Sequence, residues 1–277
     1  MSIITLTTDF GAADHYVAAM KGVILSINPT AIIVDITHSV PPQDVWAGAF
    51  ALAGAARYFP PGTVHVAVVD PEVGGERRPI ALRARPGSGG LGTATPEDHF
   101  FVGPDNGVLS LAAELASPFT AVQLTNRAYW RREVSRTFHG RDIFAPVAAH
   151  LSTAGLDANL LAALGEALDP PPARLHWPAV AERDGMLIGE VIYIDRYGNL
   201  ITNLSKRRVA SQPSSVEIAG QRIEGIRQTY ADAGRGELLA LIGSSGLLEI
   251  TVRDGSAAQA LGAKVGDAVI YRRRAAE

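Results

Sequence analysis

Val64-His65-Val66-Ala67-Val68-Val69 runs directly into Asp70-Pro71-Glu72-Val73-Gly74-Gly75-Glu76-Arg77-Arg78-Pro79. An apolar run this short, bounded by turn formers, reads as a buried strand. It delivers Asp70 to the carboxyl end of that strand, the edge at which open α/β sheets bind ligands. Two other strand patterns end in the same way. Ile3-Ile4-Thr5-Leu6-Thr7-Thr8 leads into Asp9-Phe10-Gly11, and Phe100-Phe101-Val102 leads into Gly103-Pro104-Asp105-Asn106-Gly107. Arg77 follows a Gly-rich turn, and His139 lies within Thr137-Phe138-His139-Gly140-Arg141-Asp142, just ahead of a helical pattern. An Asp, an Arg and a His on loop tips can hold and polarise a water molecule without a metal. Each also has an ordinary role, since an Asp after a strand caps helices or forms turns and a loop Arg is commonly solvated.

Outward from this stretch the chain divides. Ala31 to Thr37 is a further strand, Asp44 to Tyr58 an Ala-rich helix, and Ile143 to Ala154 another helix closed by Gly155. Alternating strands and helices give an α/β layer fold. Asp169-Pro170-Pro171-Pro172 and Trp177-Pro178 then interrupt the pattern with residues that lack a backbone donor. From Met186 the pattern becomes short strands and turns: Leu187–Ile194, Leu200–Asn203, Val216–Ile218, Leu238–Ile242, Leu247–Val252 and Ala268–Tyr271. We therefore expect an α/β N-terminal domain over 1–168, a linker over 169–185 and a smaller β-rich C-terminal domain, barrel or sandwich, over 186–277. Arg85 to Pro96 reads as a Gly-rich surface loop.

Composition narrows the function class. Apolar residues make up 47% of 277, enough to fill a sizeable core, and a net charge of -3 offers no basic field for nucleic acid. The chain has no cysteine, which excludes disulfides, thiolate metal sites and a cysteine nucleophile and fits a cytoplasmic setting. Met1-Ser2-Ile3-Ile4 passes straight into a strand pattern, so no signal peptide is expected, and no apolar run is long enough for a bilayer. His15, His38, His65, His99, His150 and His176 show no metal-ligand spacing, so no metal is expected.

The motifs, taken in order, resemble a known family. They are Thr8-Asp9-Phe10-Gly11, Asp14-His15-Tyr16-Val17, Lys21-Gly22, the Asp70 loop, Gly103 to Leu109, Phe138 to Pro146, Asp195 to Asn203 and Gly243-Ser244-Ser245-Gly246. Over nearly the whole chain this resembles the S-adenosylmethionine hydroxide adenosyltransferases, the adenosine-forming S-adenosylmethionine hydrolases related to fluorinase and chlorinase. The resemblance implies a Rossmann-like N-terminal α/β domain, a smaller β-barrel-like C-terminal domain, and a homotrimer whose active sites lie between subunits. It implies S-adenosylmethionine as substrate, with no cofactor.

The resemblance also carries residue roles. Asp70, Arg77 and His139 map to the catalytic set around the nucleophilic water, Arg77 disfavouring protonation of the imidazole and a neutral His139 able to accept the water's proton. Asp9 maps to the carboxylate that receives the ribose hydroxyls, Trp46 and Phe138 to ribose-side contacts, and Asp195 to the partner of the substrate's amino group. Asn199 maps to an adenine-reading residue, Tyr197 and Tyr230 to adenine-stacking rings, and Ser244 and Ser245 to the methionine carboxylate site. Arg253 stands where many of these hydrolases carry Asn. A halogenase making 5′-halo-adenosine and a non-catalytic nucleoside-binding protein are the alternatives. The halogenating members replace the Asp/Arg/His set, which this chain keeps, although they carry an insertion near its 85–96 loop.

Overall fold

A computed structural model describes residues 2–86, 98–113, 118–153, 158–209 and 214–273. The chain forms two compact units, one reaching Leu175 and the other starting at His176.

In chain order the first unit contains β1 (Ile3–Thr8), α1 (Tyr16–Ile27), β2 (Ile32–Thr37), α2 (Val45–Ala56), β3 (Val64–Val68), β4 (Pro79–Ala84), β5 (His99–Pro104) and β6 (Thr120–Leu124). It continues with α3 (Ala145–Thr153), α4 (Ala158–Ala163) and β7 (Gly165–Ala167). Its sheet has the order β2-β1-β3-β5-β4-β6-β7. The strands β2, β1, β3 and β5 run parallel, whereas β4, β6 and β7 add antiparallel neighbours. β3 and β5 are buried along their whole length, as strands covered on both faces must be, which is why their sequences are apolar except for His65 and His99. The core between the sheet and α1 and α3 is built on Met20, Ile24, Val66, Val102, Phe144 and Val147. α2 is capped by Asp44, whose carboxylate accepts from Ala47 N at 2.9 Å, and its small residues bury most of its surface.

Because β1, β3 and β5 are adjacent and parallel, Asp9, Asp70 and Asp105 follow their carboxyl ends along one edge. Asp105 is a structural member of that row. It pairs with Arg78 at 2.6 Å and accepts from Ala173 N at 2.7 Å, while Arg78 also donates to the Pro170 and Pro171 carbonyls. The proline segment is thereby strapped to the first unit. The Gly-rich stretch lies outside the described residues from 87 to 97, as do Ala154 and Gly155.

The second unit contains β8 (Ala181–Arg183), β9 (Met186–Ile194), β10 (Leu200–Ser205), β11 (Ser214–Ile218), β12 (Gln221–Glu224), β13 (Leu238–Ile242), β14 (Leu247–Val252), α5 (Ala257–Leu261) and β15 (Ala268–Arg273). Its antiparallel sheet runs β12-β11-β15-β9-β10-β14-β13, with β8 also on β9. The two ends nearly meet, since Arg227 N, just beyond β12, donates to Ala240 O of β13 at 2.7 Å. The result is barrel-like around Val191, Leu200, Leu248, Ile250 and Tyr271. Among the described residues no helix is long and apolar enough to cross a membrane.

Candidate active site

The centre of the first unit's edge is a buried ion pair with a histidine attached. Asp70 and Arg77 expose only 4% and 3% of their side chains. Arg77 Nε donates to Asp70 Oδ1 and Oδ2 at 3.0 and 3.1 Å, and Arg77 Nη2 donates to Oδ2 at 2.5 Å. Nη2 also donates to His139 Nδ1 at 2.6 Å. A guanidinium has no acceptor, so Nδ1 is the accepting nitrogen and a neutral His139 carries its proton on Nε2. Burial pushes the His139 imidazole below its ordinary value and Arg77 pushes it further, against Asp70 and Asp142. Neutral His139 is therefore the form the site favours. The nitrogen that would take a proton is, however, already occupied by Arg77.

The loop carrying His139 is fixed from below and from both sides. Asp142, fully buried, accepts from Arg141 Nε at 2.7 Å, Arg131 Nη1 at 3.2 Å and Ser135 N at 2.9 Å. Burial raises the Asp142 carboxyl, yet the Arg141 and Ser135 hydrogen bonds and both arginine charges bring it below the usual range. Gly140–Phe144 forms a widened helical turn that feeds α3, and such turns commonly mark functional sites. On the other side Gly74 has φ +80, and a Cβ there would collide with Arg136 O. Only glycine lets the Asp70 loop back onto the His139 loop this closely.

Aromatic rings connect this cluster to Asp9. Phe138 meets Phe10 at 5.8 Å and Tyr16 at 5.3 Å, both edge-on. Asp9 Oδ2 accepts from Gln43 N at 2.8 Å, so the loop ahead of α2 orients the carboxylate. Trp46, half-buried, stands in the first turn of α2.

The second unit builds a different constellation. Asp195 Oδ1 accepts from Tyr197 N and Asn199 N at 2.8 and 2.9 Å, and Oδ2 accepts from Asn199 Nδ2 at 2.8 Å. Asn199 Oδ1 accepts from Thr251 Oγ1 at 2.5 Å. Tyr230 OH donates to Glu249 Oε1 at 2.6 Å. Tyr197, Asn199, Tyr230, Thr251 and Arg253 line a cavity of about 560 Å³. Arg253 is held there by donating to Ala233 O at 2.6 Å. Ser244 and Ser245 occupy the β13–β14 turn, beside which Glu249 Oε2 packs on Gly243.

Asp195, Tyr197, Asn199 and Tyr230 thus share one place, while Glu249, bound to Tyr230, reaches Gly243, the residue before Ser244 and Ser245. Glu249 and Thr251 escaped the sequence reading. Their signal is alternation: in Leu247-Leu248-Glu249-Ile250-Thr251-Val252 two polar residues share the face opposite the core side of β14. Among the described residues no three metal-ligating side chains converge.

Residues 4–160 match the N-terminal domain of the SAM hydroxide adenosyltransferases, and residues 189–270 match their C-terminal domain. The chain belongs to this family. It is similar to the (R)-S-adenosyl-L-methionine hydrolase of Salinispora tropica, 42% identical over 95% of both chains. The hydrolase of the same name from Thermus thermophilus is 38% identical, over 96% of this chain and 98% of the relative. A fluorinase from Actinoplanes is 31% identical over 90% of each. An uncharacterized conserved protein from Thermotoga maritima, solved by crystallography, superimposes with a TM-score of 0.84 at 35% identity, covering 99% of this family member and 100% of the other chain.

Proposed function

We propose that this protein hydrolyses S-adenosyl-L-methionine to adenosine and L-methionine, by attack of a water-derived oxygen on the ribose C5′. The observation that carries this reading is the buried Asp70–Arg77–His139 cluster, supported by hydrolase relatives at 36–42% identity.

The chemistry asks little of the leaving group. Departure from a sulfonium yields a neutral thioether, which needs neither a proton nor a Lewis acid. What the protein must supply is an oxygen nucleophile held in line and stripped of bulk water, an orientation effect worth about 7–11 kcal/mol in favourable cases. Asp70 consumes Arg77 Nε and part of Nη2, and His139 takes the rest of Nη2. Arg77 Nη1 and His139 Nε2 have no hydrogen-bond acceptor among the described residues. Both are donors, and a donor that meets the nucleophilic oxygen favours hydroxide over water. We therefore assign His139 the part of a neutral donor that orients the nucleophile, with Asp70 fixing the guanidinium in register. The oxygen enters as hydroxide, its proton already given to solvent, and the C5′–S bond breaks to methionine as the C5′–O bond of adenosine forms.

On this reading Asp9, oriented by Gln43 N, receives the ribose hydroxyls, and Trp46 and Phe138 flank the sugar. Asn199, Tyr197 and Tyr230 take adenine in the second unit's cavity, Asp195 the amino group, and Ser244 and Ser245 the methionine carboxylate. We assign the first group to an N-terminal domain and the second to a C-terminal domain, with a homotrimer bringing one subunit's N-terminal domain to its neighbour's C-terminal domain. A cytoplasmic enzyme that acts on neither nucleic acid nor membranes fits this substrate.

Turnover in ¹⁸O-labelled water with added chloride or fluoride tests the reaction. Label at the adenosine 5′ oxygen is the expected result. 5′-Halo-adenosine as main product would make the protein a halogenase, and substrate binding without turnover would leave it a nucleoside-binding protein.

A further inference from the structure

The turn that carries Asp9 is framed by a second stretch of chain, and the frame centres on His38. β1 and β2 pair in parallel register until Leu6 opposes Asp35, but Thr7 then opposes Thr37, so Ile36 is an extra residue. Bulges of this kind re-aim the chain beyond them and are common beside active sites. Here the chain beyond the bulge meets the Asp9 turn at three points. Thr8 Oγ1 lies 2.8 Å from His38 Nδ1, Gly11 N donates to His38 O at 2.8 Å, and Gln43 N donates to Asp9 Oδ2 at 2.8 Å.

The direction of the imidazole contact follows from the other side of the ring. His38 Nε2 is 3.0 Å from Asp35 Oδ1, and Lys21 Nζ, from the Lys21-Gly22 motif, donates to Asp35 Oδ2 at 2.6 Å. A carboxylate facing Nε2 favours the tautomer with its proton there, which makes Nδ1 an acceptor. The Thr8 hydroxyl therefore donates to Nδ1, and its oxygen accepts from Phe10 N at 3.3 Å. Donors run one way, from Phe10 N through Thr8 to His38, and Asp9 lies between the two anchored residues. Thr8 is fully buried and His38 exposes only 11% of its side chain, so bulk water does not compete for this contact.

We propose that His38 is a positioning residue that sets the Asp9 turn, through Nδ1 and its carbonyl, in the orientation that receives the ribose diol. The proposal rests on the hydrolase reading above, which gives Asp9 the ribose hydroxyls. It adds the chain Lys21–Asp35–His38–Thr8 that holds the turn in place.

Adenosine and 2′,3′-dideoxyadenosine differ in the two hydroxyls alone, and so separate positioning of Asp9 from general packing. His38→Asn keeps a polar atom where Nδ1 stood, whereas His38→Gln keeps one near Nε2 and leaves the Thr8 hydroxyl without its acceptor. By calorimetry His38→Gln should weaken adenosine about fivefold or more and dideoxyadenosine hardly at all. In steady-state assays it should raise KM for S-adenosylmethionine more than it lowers kcat. His38→Asn should retain most of the wild-type preference for adenosine. Thr8→Val, which keeps the shape of the side chain without its hydroxyl, should reproduce the His38→Gln result. An equal loss for both nucleosides would mark a merely structural role and overturn the proposal. So would a preference for adenosine that survives in both His38→Gln and Thr8→Val. A wild-type protein that binds both nucleosides alike would remove the diol from Asp9, and the proposal with it. Adenosine production by the wild-type protein judges the hydrolase reading separately, since the binding measurements do not depend on turnover.

Discussion

At the carboxyl edge of the first unit's sheet Asp70 and Asp105 each meet an arginine, whereas in the second unit Asp195 and Glu249 are held by neutral donors alone. The same residue type therefore does opposite work. In the first unit the carboxylate is spent on a guanidinium, which leaves Arg77 Nη1 and His139 Nε2 as donors without an acceptor among the described residues. In the second unit, among the described residues, backbone amides, an amide nitrogen and a phenol hold the carboxylates, so hydrogen bonds and not a guanidinium offset their charge.

The comparison breaks most visibly at Arg77. Arg77→Leu leaves Asp70 buried without a partner, a cost of about 3–5 kcal/mol, and should lower the urea midpoint while abolishing turnover. It should also let the His139 imidazole titrate nearer its ordinary value, because Arg77 is one of the two causes holding it down; histidine NMR shifts against pH would read this. In the second unit Tyr230→Phe removes the hydroxyl from which Glu249 Oε1 accepts, and it should cost less, because a neutral donor is lost there and not the charge of a guanidinium.

His139→Ala leaves the ion pair intact and removes only the donor on the nucleophile. A decrease in kcat of about 10²-fold or more, with KM nearly unchanged, is the expected outcome in steady-state assays. A rise in KM of the same size would instead place His139 in ground-state binding.

Acid should act on the first unit. Thr5 Oγ1, His65 and His99 form a buried chain across β1, β3 and β5, with contacts of 2.8 and 2.9 Å. Burial lowers His99 to about 4, and burial together with His99 lowers His65 well below the ordinary value of 6.5. Below 6.5 the unfolded chain takes up protons that the folded histidines refuse, so their contribution is intact above 6.5 and shrinks toward pH 4. His99 alone should cost about 2 kcal/mol between pH 7 and pH 5. Urea titrations at the two pH values, repeated on His99→Gln, measure the difference, which the substitution should reduce.

The smallest effect sharpens the second-unit side. Asp195→Asn removes charge but keeps an oxygen for the Tyr197 and Asn199 amides, so adenosine binding should survive. Asp195→Ala should weaken adenosine, because the Tyr197 and Asn199 amides lose the oxygen that shapes the turn presenting Asn199. If calorimetry finds both substitutions equal toward adenosine, Asp195 is not what orients Asn199.

Much of this was legible in the chain. Largely apolar runs followed by Asp marked β1, β3 and β5, because a buried strand admits few polar positions, among them here the internally hydrogen-bonded Thr5, His65 and His99. The change to short strands after Met186 announced the second architecture. The antiparallel strands β4, β6 and β7 were not legible, since strand direction is set by pairing rather than by local pattern. Asp105 follows its strand as Asp9 and Asp70 follow theirs, and only the contacts with Arg78 and Ala173, far away in sequence, make it the anchor of the proline segment.

The sequence by itself determined which chemical groups stand at the strand ends and turns, because those positions follow from local periodicity. Only the tertiary structure decided which nitrogen of His139 faces Arg77, which carboxylates find an arginine and which do not. Those outcomes depend on distances between segments tens of residues apart, and charge compensation inside a protein is a property of the assembled neighbourhood, not of any one stretch of chain.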